Sequence, residues 1–511
     1  MTPPTPAGLS RRASLTLWIG AFLTAGVLYA ATADRGPQWQ DAGQHQCRMI
    51  AGDVSHPRGL VLTHPVHFYL GRWAYLLLPF EPAYSITLVS SIPAAAVVAN
   101  VALLIALLTR QLAAALPCAA ALMMSHTFWS HATHTEAYGI VMLLLTSEWL
   151  CLLAFLRGGR SGWLLLLAGL NGLGVANHLI AGLVTPVYVT VFLWALLTRK
   201  LGLAAAGLAV LAWIAGTLPY SLMIAEMAQR TGSIAAAVHS ALFGDFQREV
   251  LNTRVSPRML LFIAGFVAYN FPGLTVPAAL LGLVTGNAIP RVLCRVLAAQ
   301  LVIFLLFATR YSVIDQYSFL FPAYVALAVL GGSGLAFVLA RAGAWRRPIV
   351  VAAAITALWT PAVYLAACQV CKARGYFAGM VGNKPYRDGY RALFLPWGFD
   401  KTHVTDLNRV IYRLAGRDGL VLVGDTSITF GVLYEQFVGR APATVTIEPF
   451  LPDDDRQRIA RRRQQVAEAF AAGRAVVLVP GDRDNPASGL ENARFGRVAG
   501  EDVYLLEGME F

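Results

Sequence analysis

The stretch Ser85–Leu108, SITLVSSIPAAAVVANVALLIALL, decides the fold class because it contains no charged side chain over its whole length. A helix needs roughly 20 apolar residues to cross about 30 Å of membrane hydrocarbon. Comparable runs recur along most of the chain and predict a polytopic α-helical membrane protein with about eleven transmembrane helices. The other runs are Ala13–Thr32, Leu112–Thr127, Ala137–Leu156, Gly162–Ala176, Leu179–Leu197, Leu201–Met223, Met259–Thr285, Val292–Thr309, Gln316–Ala340 and Ile349–Ala367.

The overall composition agrees with this prediction. Of the 511 residues, 57% are hydrophobic and 13% are charged, and the mean hydropathy is +0.58. A soluble globular protein carries about 25% charged residues. The composition therefore excludes a wholly soluble globular protein. The runs Leu112–Thr127 and Gly162–Ala176 are shorter than the rest, which indicates tilted, broken or re-entrant segments.

Basic residues in the short connections predict the orientation. Alternate connections carry arginine and lysine but no acidic residue, and such loops stay in the cytoplasm. The amino terminus is therefore expected inside, and an odd number of spans places the carboxyl-terminal tail outside. Because this bias accounts for the net charge of +12, we expect no nucleic-acid partner. The basic residues of the inner connections are Arg11, Arg12, Arg110, Arg157, Arg160, Arg199, Lys200, Arg291, Arg295, Arg341, Arg346 and Arg347.

The first run allows a second interpretation. Arg11 and Arg12, an apolar core and Ala31-Thr32-Ala33 also fit a cleavable signal peptide. The apolar core is longer than the roughly 7–15 residues of a signal peptide, which favours a retained anchor. Both interpretations place the following loop outside.

The chain is expected to have two domains. Residues 1–370 would form the membrane domain, with outer loops over about 33–84 and 224–258. Residues 371–511 would form an extracytoplasmic α/β domain, because strand-like and helix-like segments alternate there. The predicted strands are Leu420–Val423, Ala475–Val479 and Val503–Leu506, and the predicted helix is Asp453–Ala472. In the first outer loop, the interrupted apolar segment Leu62–Phe80 predicts a helix at the membrane interface rather than a span.

Clusters of polar and ionisable residues lie in the outer connections. Such residues are costly beside a bilayer and usually serve a function. A transporter places them near the middle of its spans, whereas here they line one face, as in an enzyme acting at the outer surface. The clusters contain Asp41, Arg48, His56, Arg58, His64 and Arg72; His131, His134 and Glu136; Asn177 and His178; and Arg310 and Asp315.

The spacing alone leaves alternatives open for these clusters. Asp41 fits either a catalytic base or a helix cap, and Arg58 fits either a phosphate ligand or a headgroup anchor. His131, His134 and Glu136 could hold a metal ion, but no familiar metal-binding order is present. Arg310 could bind a phosphate or form a structural pair with Asp315.

Several short motifs occur in an order that resembles a known family. The series resembles the bacterial branch of the protein O-mannosyltransferase-like family, formerly a domain of unknown function, within the GT-C glycosyltransferases. The motifs are Asp41-Ala42-Gly43-Gln44, His56-Pro57-Arg58-Gly59, Phe128-Trp129, Glu136-Ala137-Tyr138, Asn177-His178, Asp315 with Phe321-Pro322-Ala323-Tyr324, and Val423-Gly424-Asp425-Thr426 in the tail.

The resemblance implies a polytopic enzyme of the bacterial cytoplasmic membrane that takes a sugar from a polyprenyl phosphate. The acceptor would be a hydroxyl of a protein or glycan on the outer face, and transfer would be inverting. Asp41 matches the acidic residue that such enzymes use as base, and Arg58 and Arg310 would bind the donor phosphate. The pocket would be lined by His56, His64, His134, Glu136, Tyr138, His178 and Asp315. The resemblance implies no metal and no cofactor.

Two departures from the family pattern leave the sugar and the acceptor open. Arg58 stands where many relatives have a second proline, and Gln44 replaces the usual acidic residue. Two other functions compete with sugar transfer: a transporter or lipid flippase for envelope glycan precursors, and a non-catalytic envelope assembly protein that binds through its tail.

Overall fold

The computed structural model describes residues 9–285, 289–311, 313, 315–382, 384–449, 456–481 and 490–509. The α-helices are α1 Arg11–Thr32, α2 Gln40–Ala51, α3 Pro65–Leu77, α4 Pro82–Thr109, α5 Leu112–Met123, α6 His126–Thr133, α7 Tyr138–Gly158, α8 Gly162–Asn177, α9 Thr185–Leu197, α10 Leu203–Thr231, α11 Ile234–Leu242, α12 Gln247–Val250, α13 Pro257–Asn270, α14 Thr275–Thr285, α15 Arg291–Arg310, α16 Phe321–Leu339, α17 Arg346–Leu358, α18 Thr360–Arg374, α19 Ala378–Val381, α20 Gly389–Phe394, α21 His403–Ala415, α22 Thr426–Phe437 and α23 Arg456–Ala471. The 3-10 helices are η1 Leu60–Leu62, η2 Leu179–Val184, η3 Gln316–Leu320 and η4 Gly343–Trp345. The strands are β1 Leu420–Val423, β2 Thr446–Pro449, β3 Val476–Val479, β4 Ala493–Arg497 and β5 Tyr504–Met509.

The long apolar helices confirm a multi-pass membrane protein. Within the described residues, seven helices are long and apolar enough to cross a membrane, and three further pairs would each cross as one bent span. The bends are 61° between α5 and α6, 105° between α13 and α14, and 45° between α17 and α18. Helix α8 is a shorter apolar helix. Every apolar run predicted above coincides with one of these elements, while the exact number of spans stays a prediction.

The bend between α5 and α6 is stabilised by side chains of other helices. The hydroxyl of Tyr29 donates to the carbonyl of Met123 at 3.0 Å, and that of Tyr364 donates to the carbonyl of Met124 at 3.1 Å. The backbone N–H of Thr127 donates to Asn270 Oδ1 at 2.7 Å. A broken helix survives at membrane depth only when its backbone groups find such partners. These hydrogen bonds fix the bend and, with it, the position of α6 and of the connection that follows it.

Glycines allow α14 and α16 to pack with their backbones close together. A Cβ atom on Gly334 would lie 1.8 Å from the carbonyl oxygen of Ala278, and one on Gly282 would lie 2.2 Å from that of Leu330. Small residues at such contacts drive association between membrane helices, because dispersion contacts require close approach.

Replacing Gly334 by alanine is expected to destabilise the protein by about 1–3 kcal/mol, because an extra methyl group in a packed contact forces the backbone to shift. Thermal unfolding in detergent, followed by tryptophan fluorescence, measures the effect. Gly265→Ala in α13 is the matched control, since a Cβ atom there meets nothing within 4 Å. Equal melting temperatures for the two variants would contradict the packing argument.

The tail folds as an α/β domain with a five-stranded sheet in the order β2-β1-β3-β5-β4. Strands β1, β2 and β3 are parallel, and β5 runs antiparallel to both β3 and β4. Strands β1 and β3 are wholly buried, as their apolar runs predicted. Strands β2 and β4 were not predicted, because both contain charged residues and are partly exposed.

The other elements predicted in the chain are found with small shifts. The last strand is Tyr504–Met509, and the predicted helix is Arg456–Ala471; residues 453–455 lie outside the described residues. The interfacial segment contains α3, whose 13 residues are too few to span a bilayer. The domain boundary near residue 370 stays a prediction.

Candidate functional site

A buried amide network attaches the start of α2 to the connection after α6. Gln38 donates through Nε2 to Thr87 Oγ1 at 3.0 Å and accepts at Oε1 from the N–H of Thr135 at 3.0 Å. The side chain of Gln46 accepts at Oε1 from the N–H of Gln38, also at 3.0 Å. Asp41 lies in the first turn of α2. Since Glu136 follows Thr135 directly, the network brings the segments that carry the two carboxylates together.

Three carboxylates from separate connections face one another: Asp41, Glu136 and Asp315. Asp41 and Asp315 are reached by solvent and Glu136 is half-buried, yet protein atoms crowd around all three, as at the bottom of a cleft. Burial, followed by the charges of Asp41 and Asp315, raises the pKa of Glu136 well above its usual value. Burial and the charge of Asp41 raise the pKa of Asp315 to about 6. The three carboxylates therefore lie close enough for their charges to act on one another, and we call this region the carboxylate chamber.

Asp41 differs from the other two carboxylates because a cation acts on it. Burial raises the pKa of Asp41, but the guanidinium of Arg58 lowers it. For Glu136, the neighbouring charges act in the same direction as burial. Arg58 therefore partly offsets the effect of burial on Asp41, whereas no cation offsets it for Glu136. Asp41 is the carboxyl group of the two that ionises more readily.

Arg58 lies where the first and second outer loops meet. Its Nε is 3.5 Å from Asp245 Oδ2, and its guanidinium lies 4.7 Å from the ring centroid of Phe246. Both members of the ion pair are more than half exposed. Such a pair contributes little stability, about 0.2–1 kcal/mol, so another anion can replace Asp245. A cavity of about 600 Å³ opens beside Arg58, lined by residues 53–60 together with parts of α10 and α11.

His56 supports the loop that carries Arg58. Its Nδ1 accepts a hydrogen bond from the backbone N–H of Arg58 at 3.1 Å, which leaves Nε2 to donate to Gln44 Oε1 at 3.0 Å. Burial and nearby cations, Arg48 first among them, lower the pKa of His56 to about 3. His56 is therefore a neutral hydrogen-bonding residue rather than a cation for a phosphate.

Aromatic and imidazole rings form one wall beside the carboxylates. The rings of His64 and His178 stack at 4.7 Å, and Tyr138 lies 5.0 Å from His178. The Nδ1 of His64 donates to the carbonyl of Asn177 at 2.9 Å. The predicted residues His64, Tyr138 and His178 are thus brought together. Ring contacts extend this group to His45 and His67, which sequence reasoning missed although both lie in the same outer loop.

The structure places His134 against the tail rather than in this wall. Its Nδ1 donates to the carbonyl of Ser130 at 2.8 Å, and its Nε2 accepts from Lys401 Nζ at 2.9 Å. Both ring nitrogens are therefore used by protein partners. His134 connects the end of α6 to the segment before α21. It therefore does not line the pocket, contrary to the prediction.

Arg310 also takes a different place from the expected one. Its guanidinium donates to the backbone carbonyls of Val250 and Asn252, the latter at 3.1 Å. Among the described residues, no ion pair joins Arg310 to Asp315. Arg310 holds the second outer loop, which argues against both sequence-based roles, phosphate ligand and clamp on Asp315.

The metal site considered for the second cluster finds no support in the geometry. His131 is hydrogen-bonded through Nδ1 to the carbonyl of Thr127 at 2.9 Å and through Nε2 to Ser318 Oγ at 3.0 Å. In the part of the chain that the structure describes, no three His, Cys, Asp or Glu side chains are grouped to hold a metal ion.

Comparisons with known proteins agree with the motifs. The family profile of the protein O-mannosyl-transferase TMEM260 N-terminal domain matches residues 41–201. No curated protein matches the chain in sequence. Among solved structures, ArnT from Cupriavidus metallidurans bound to undecaprenyl phosphate is similar, with a TM-score of 0.56, 14% identity, and coverage of 96% of this chain and 98% of ArnT.

Two further structures show the same fold. Apo ArnT from the same organism has a TM-score of 0.55 and 16% identity, and the match covers 96% of this chain and 98% of ArnT. The arabinofuranosyltransferase AftD from Mycobacteria has a TM-score of 0.50 and 14% identity, and the match covers 98% of this chain but 40% of AftD. The chain therefore has the GT-C fold of these structures. The family match confirms the resemblance of the motifs within residues 41–201, whereas the motifs at Asp315 and Val423 lie outside it.

Proposed function

We propose that this protein transfers a sugar from a polyprenyl-phosphate donor to an acceptor hydroxyl at the outer face of the bacterial cytoplasmic membrane. The observation that carries the proposal is the chamber in which Asp41, Glu136 and Asp315 meet beside Arg58. The fold supports the donor class, because the similar ArnT structure contains undecaprenyl phosphate. The acceptor is a protein or a glycan.

Asp41 is the proposed base. Its carboxylate accepts the proton of the acceptor hydroxyl as the hydroxyl oxygen attacks the anomeric carbon. The bond between that carbon and the phosphate oxygen breaks, and the polyprenyl phosphate leaves with the bonding electrons. Attack from the face opposite the phosphate inverts the anomeric configuration.

Arg58 is the proposed counter-ion of the leaving phosphate. Arginine binds phosphate through two parallel hydrogen bonds, and the exposed contact with Asp245 is weak enough for a phosphate to replace it. Arg58 also lowers the pKa of Asp41, so one residue serves both ends of the reaction. Glu136, Asp315, Tyr138, His178, His56 and His64 complete the pocket for the sugar.

The basic inner connections support the proposed orientation. They lie at the ends of the helices opposite the carboxylate chamber in the chain order of the spans, and positive connections stay in the cytoplasm. The tail packs on the loop that carries Asp41, with Cys47 Sγ of α2 donating to the carbonyl of Phe430 in α22 at 3.2 Å. Site and tail are therefore on the same side, which we propose is the outer one.

The pH dependence of transfer tests the proposed base. Arg58→Gln removes the cation that lowers the pKa of Asp41, so the acid limb of the pH–rate profile moves to higher pH. Asp315→Asn is expected to leave this limb in place, because the pKa of Asp315 is about 6 and its carboxyl is mostly protonated where Asp41 titrates. Initial rates with a labelled polyprenyl-phosphate sugar, at saturating donor in detergent, measure the limb in both variants.

A shift to higher pH in Arg58→Gln, with the limb unchanged in Asp315→Asn, supports the proposal. An unchanged limb in Arg58→Gln, or a shift to lower pH, would contradict Asp41 as the base. A protein that binds the lipid and moves it across vesicles without releasing polyprenyl phosphate would instead be a flippase.

A further inference from the structure

Helix α2 has two faces that meet different parts of the protein. In a helix, residues three or four positions apart lie on one face. Asp41, His45 and Arg48 follow this spacing and lie on the side of the first loop and its histidines. Gly43 and Cys47 lie on the other face, against α22 of the tail. The helix that carries the proposed base therefore packs against the tail domain.

Gly43 of α2 lies in van der Waals contact range of Gly431 of α22, and Gly431 packs tightly against the Trp39 ring. A Cβ atom on Gly43 would lie 2.0 Å from the carbonyl oxygen of Gln38 and 3.5 Å from the backbone nitrogen of Gly431. A Cβ atom on Gly431 would lie 2.5 Å from the Trp39 ring. Trp39 immediately precedes α2 and packs among buried residues of the tail. Any larger residue at position 431 would thus push the start of α2, one turn from Asp41.

Tyr434 fixes α22 against the membrane domain. Its side chain is fully buried and packs against Cys47 and Ile50 of α2. Its hydroxyl donates to Glu81 Oε1 at 2.7 Å and accepts from the N–H of Ala83 at 2.9 Å. Arg440 binds the same Glu81 carboxylate with two hydrogen bonds, of 2.9 and 3.0 Å. These contacts join α22 to the start of α4 across the end of α2.

We infer that Gly431 and Tyr434 are positioning residues for Asp41, so that the tail forms part of the catalytic site instead of serving only to recognise the acceptor. The inference rests on the proposed function, because it takes Asp41 as the base. Misplacing a reacting group by about 1 Å costs roughly 100-fold in rate. A change in the α2–α22 contact therefore acts on the chemical step, although Gly431 and Tyr434 touch no substrate.

Two roles of the tail, positioning Asp41 and binding the acceptor, have different kinetic signatures. If the tail positions Asp41, loosening the contact lowers kcat and leaves the affinity for the lipid phosphate unchanged. The acid limb of kcat moves to lower pH as well, because burial is the main cause that raises the pKa of Asp41. If the tail only binds the acceptor, the same change raises the KM for the acceptor and leaves kcat and the limb in place.

Tyr434→Phe is the first test variant, since it keeps the ring and removes the two hydrogen bonds. Tyr386→Phe is its matched control within the same domain. The Tyr386 hydroxyl also donates to a carboxylate, Glu501 at 2.6 Å, and accepts from a backbone N–H, that of Asp502 at 3.2 Å. Gly431→Ala is the second test variant. A normal elution profile in size-exclusion chromatography and an unchanged melting temperature show which variants are folded.

The measurements are kcat, the KM for the acceptor, the acid limb of kcat, and binding of undecaprenyl phosphate to the full chain in detergent. Tyr434→Phe and Gly431→Ala are expected to lower kcat by about 10- to 100-fold, with the limb at lower pH and lipid binding unchanged. Tyr386→Phe is expected to behave like the unmodified protein. If Tyr434→Phe matches Tyr386→Phe, or changes only the KM for the acceptor, the inference is wrong. Asp41→Asn is assayed alongside, because an active Asp41→Asn variant overturns the proposed function itself.

Discussion

Replacing Asp41 by asparagine is expected to lower the rate of sugar transfer by about 100- to 10,000-fold, the usual contribution of a general base. Asparagine has nearly the same size and keeps a hydrogen-bonding oxygen, but it cannot accept the proton of the acceptor. The substitution also removes a charge that raises the pKa of Glu136 and Asp315. Folding is therefore not expected to suffer, since like charges in one chamber repel each other.

Single-turnover transfer from a labelled polyprenyl-phosphate sugar measures this loss. Asp406→Asn is the control, because Asp406 lies on the surface of the tail and pairs with Arg409 in the same helix. The Asp41→Asn variant should still bind undecaprenyl phosphate as tightly as the unmodified protein. Transfer at the normal rate in that variant would exclude Asp41 as the base, whatever the fate of the other residues.

Replacing Arg58 by alanine is expected to weaken the binding of undecaprenyl phosphate by about 10- to 100-fold. A hydrogen bond to a charged group contributes about 1.5–3 kcal/mol, and each 1.4 kcal/mol corresponds to about a factor of ten in Kd. The loss should be largest at low salt, because Arg58 and its partner are exposed to solvent. The substitution also leaves Asp245 without its cation, which adds repulsion toward an incoming phosphate.

Equilibrium binding of undecaprenyl phosphate in detergent, at two salt concentrations, checks this expectation. Arg258→Ala provides the control, since Arg258 lies in the first turn of α13 and contacts the ring of Phe262. An unchanged Kd in Arg58→Ala would place the phosphate elsewhere and would leave Arg58 with the structural role of joining the two outer loops.

The membrane helices were predictable because the bilayer imposes a simple physical requirement. Each span needs an uninterrupted apolar run. The orientation, which rests on the alternate basic connections, stays a prediction. The short run Leu112–Thr127 predicted a broken or tilted span, and the structure shows a 61° bend there. The buried strands β1 and β3 were predictable because all four residues of each strand are apolar.

The site was predictable in composition but not in arrangement. The chain order of the spans places Asp41, Glu136 and Asp315 on one side of the membrane, but only the fold shows that their charges interact. His134 and Arg310 lie on that side too, yet their side chains bind Lys401 and loop carbonyls. Spacing identifies the side of the membrane on which a residue lies and leaves the direction of its side chain undetermined.

The contact between α2 and α22 was beyond prediction because it joins distant segments. Cys47 and Phe430 are separated by 383 positions, and neither residue type indicates a partner. The glycines at positions 43 and 431 each carry a weak signal, since glycine inside a helix costs about 1 kcal/mol relative to alanine and often marks a close backbone approach. Gly43, two positions after Asp41 in α2, was the clue available in the sequence.

The packing of Trp39 among residues of the tail has a consequence for biosynthesis. The first loop leaves the ribosome early, whereas α22 is synthesised only after all the apolar helices that precede it. Until then the indole of Trp39 lacks the tail residues that bury it, and α2 lacks its contact with Gly431. Under the proposed function, a truncated nascent chain is therefore inactive, and proteolytic removal of the tail inactivates an otherwise folded membrane domain.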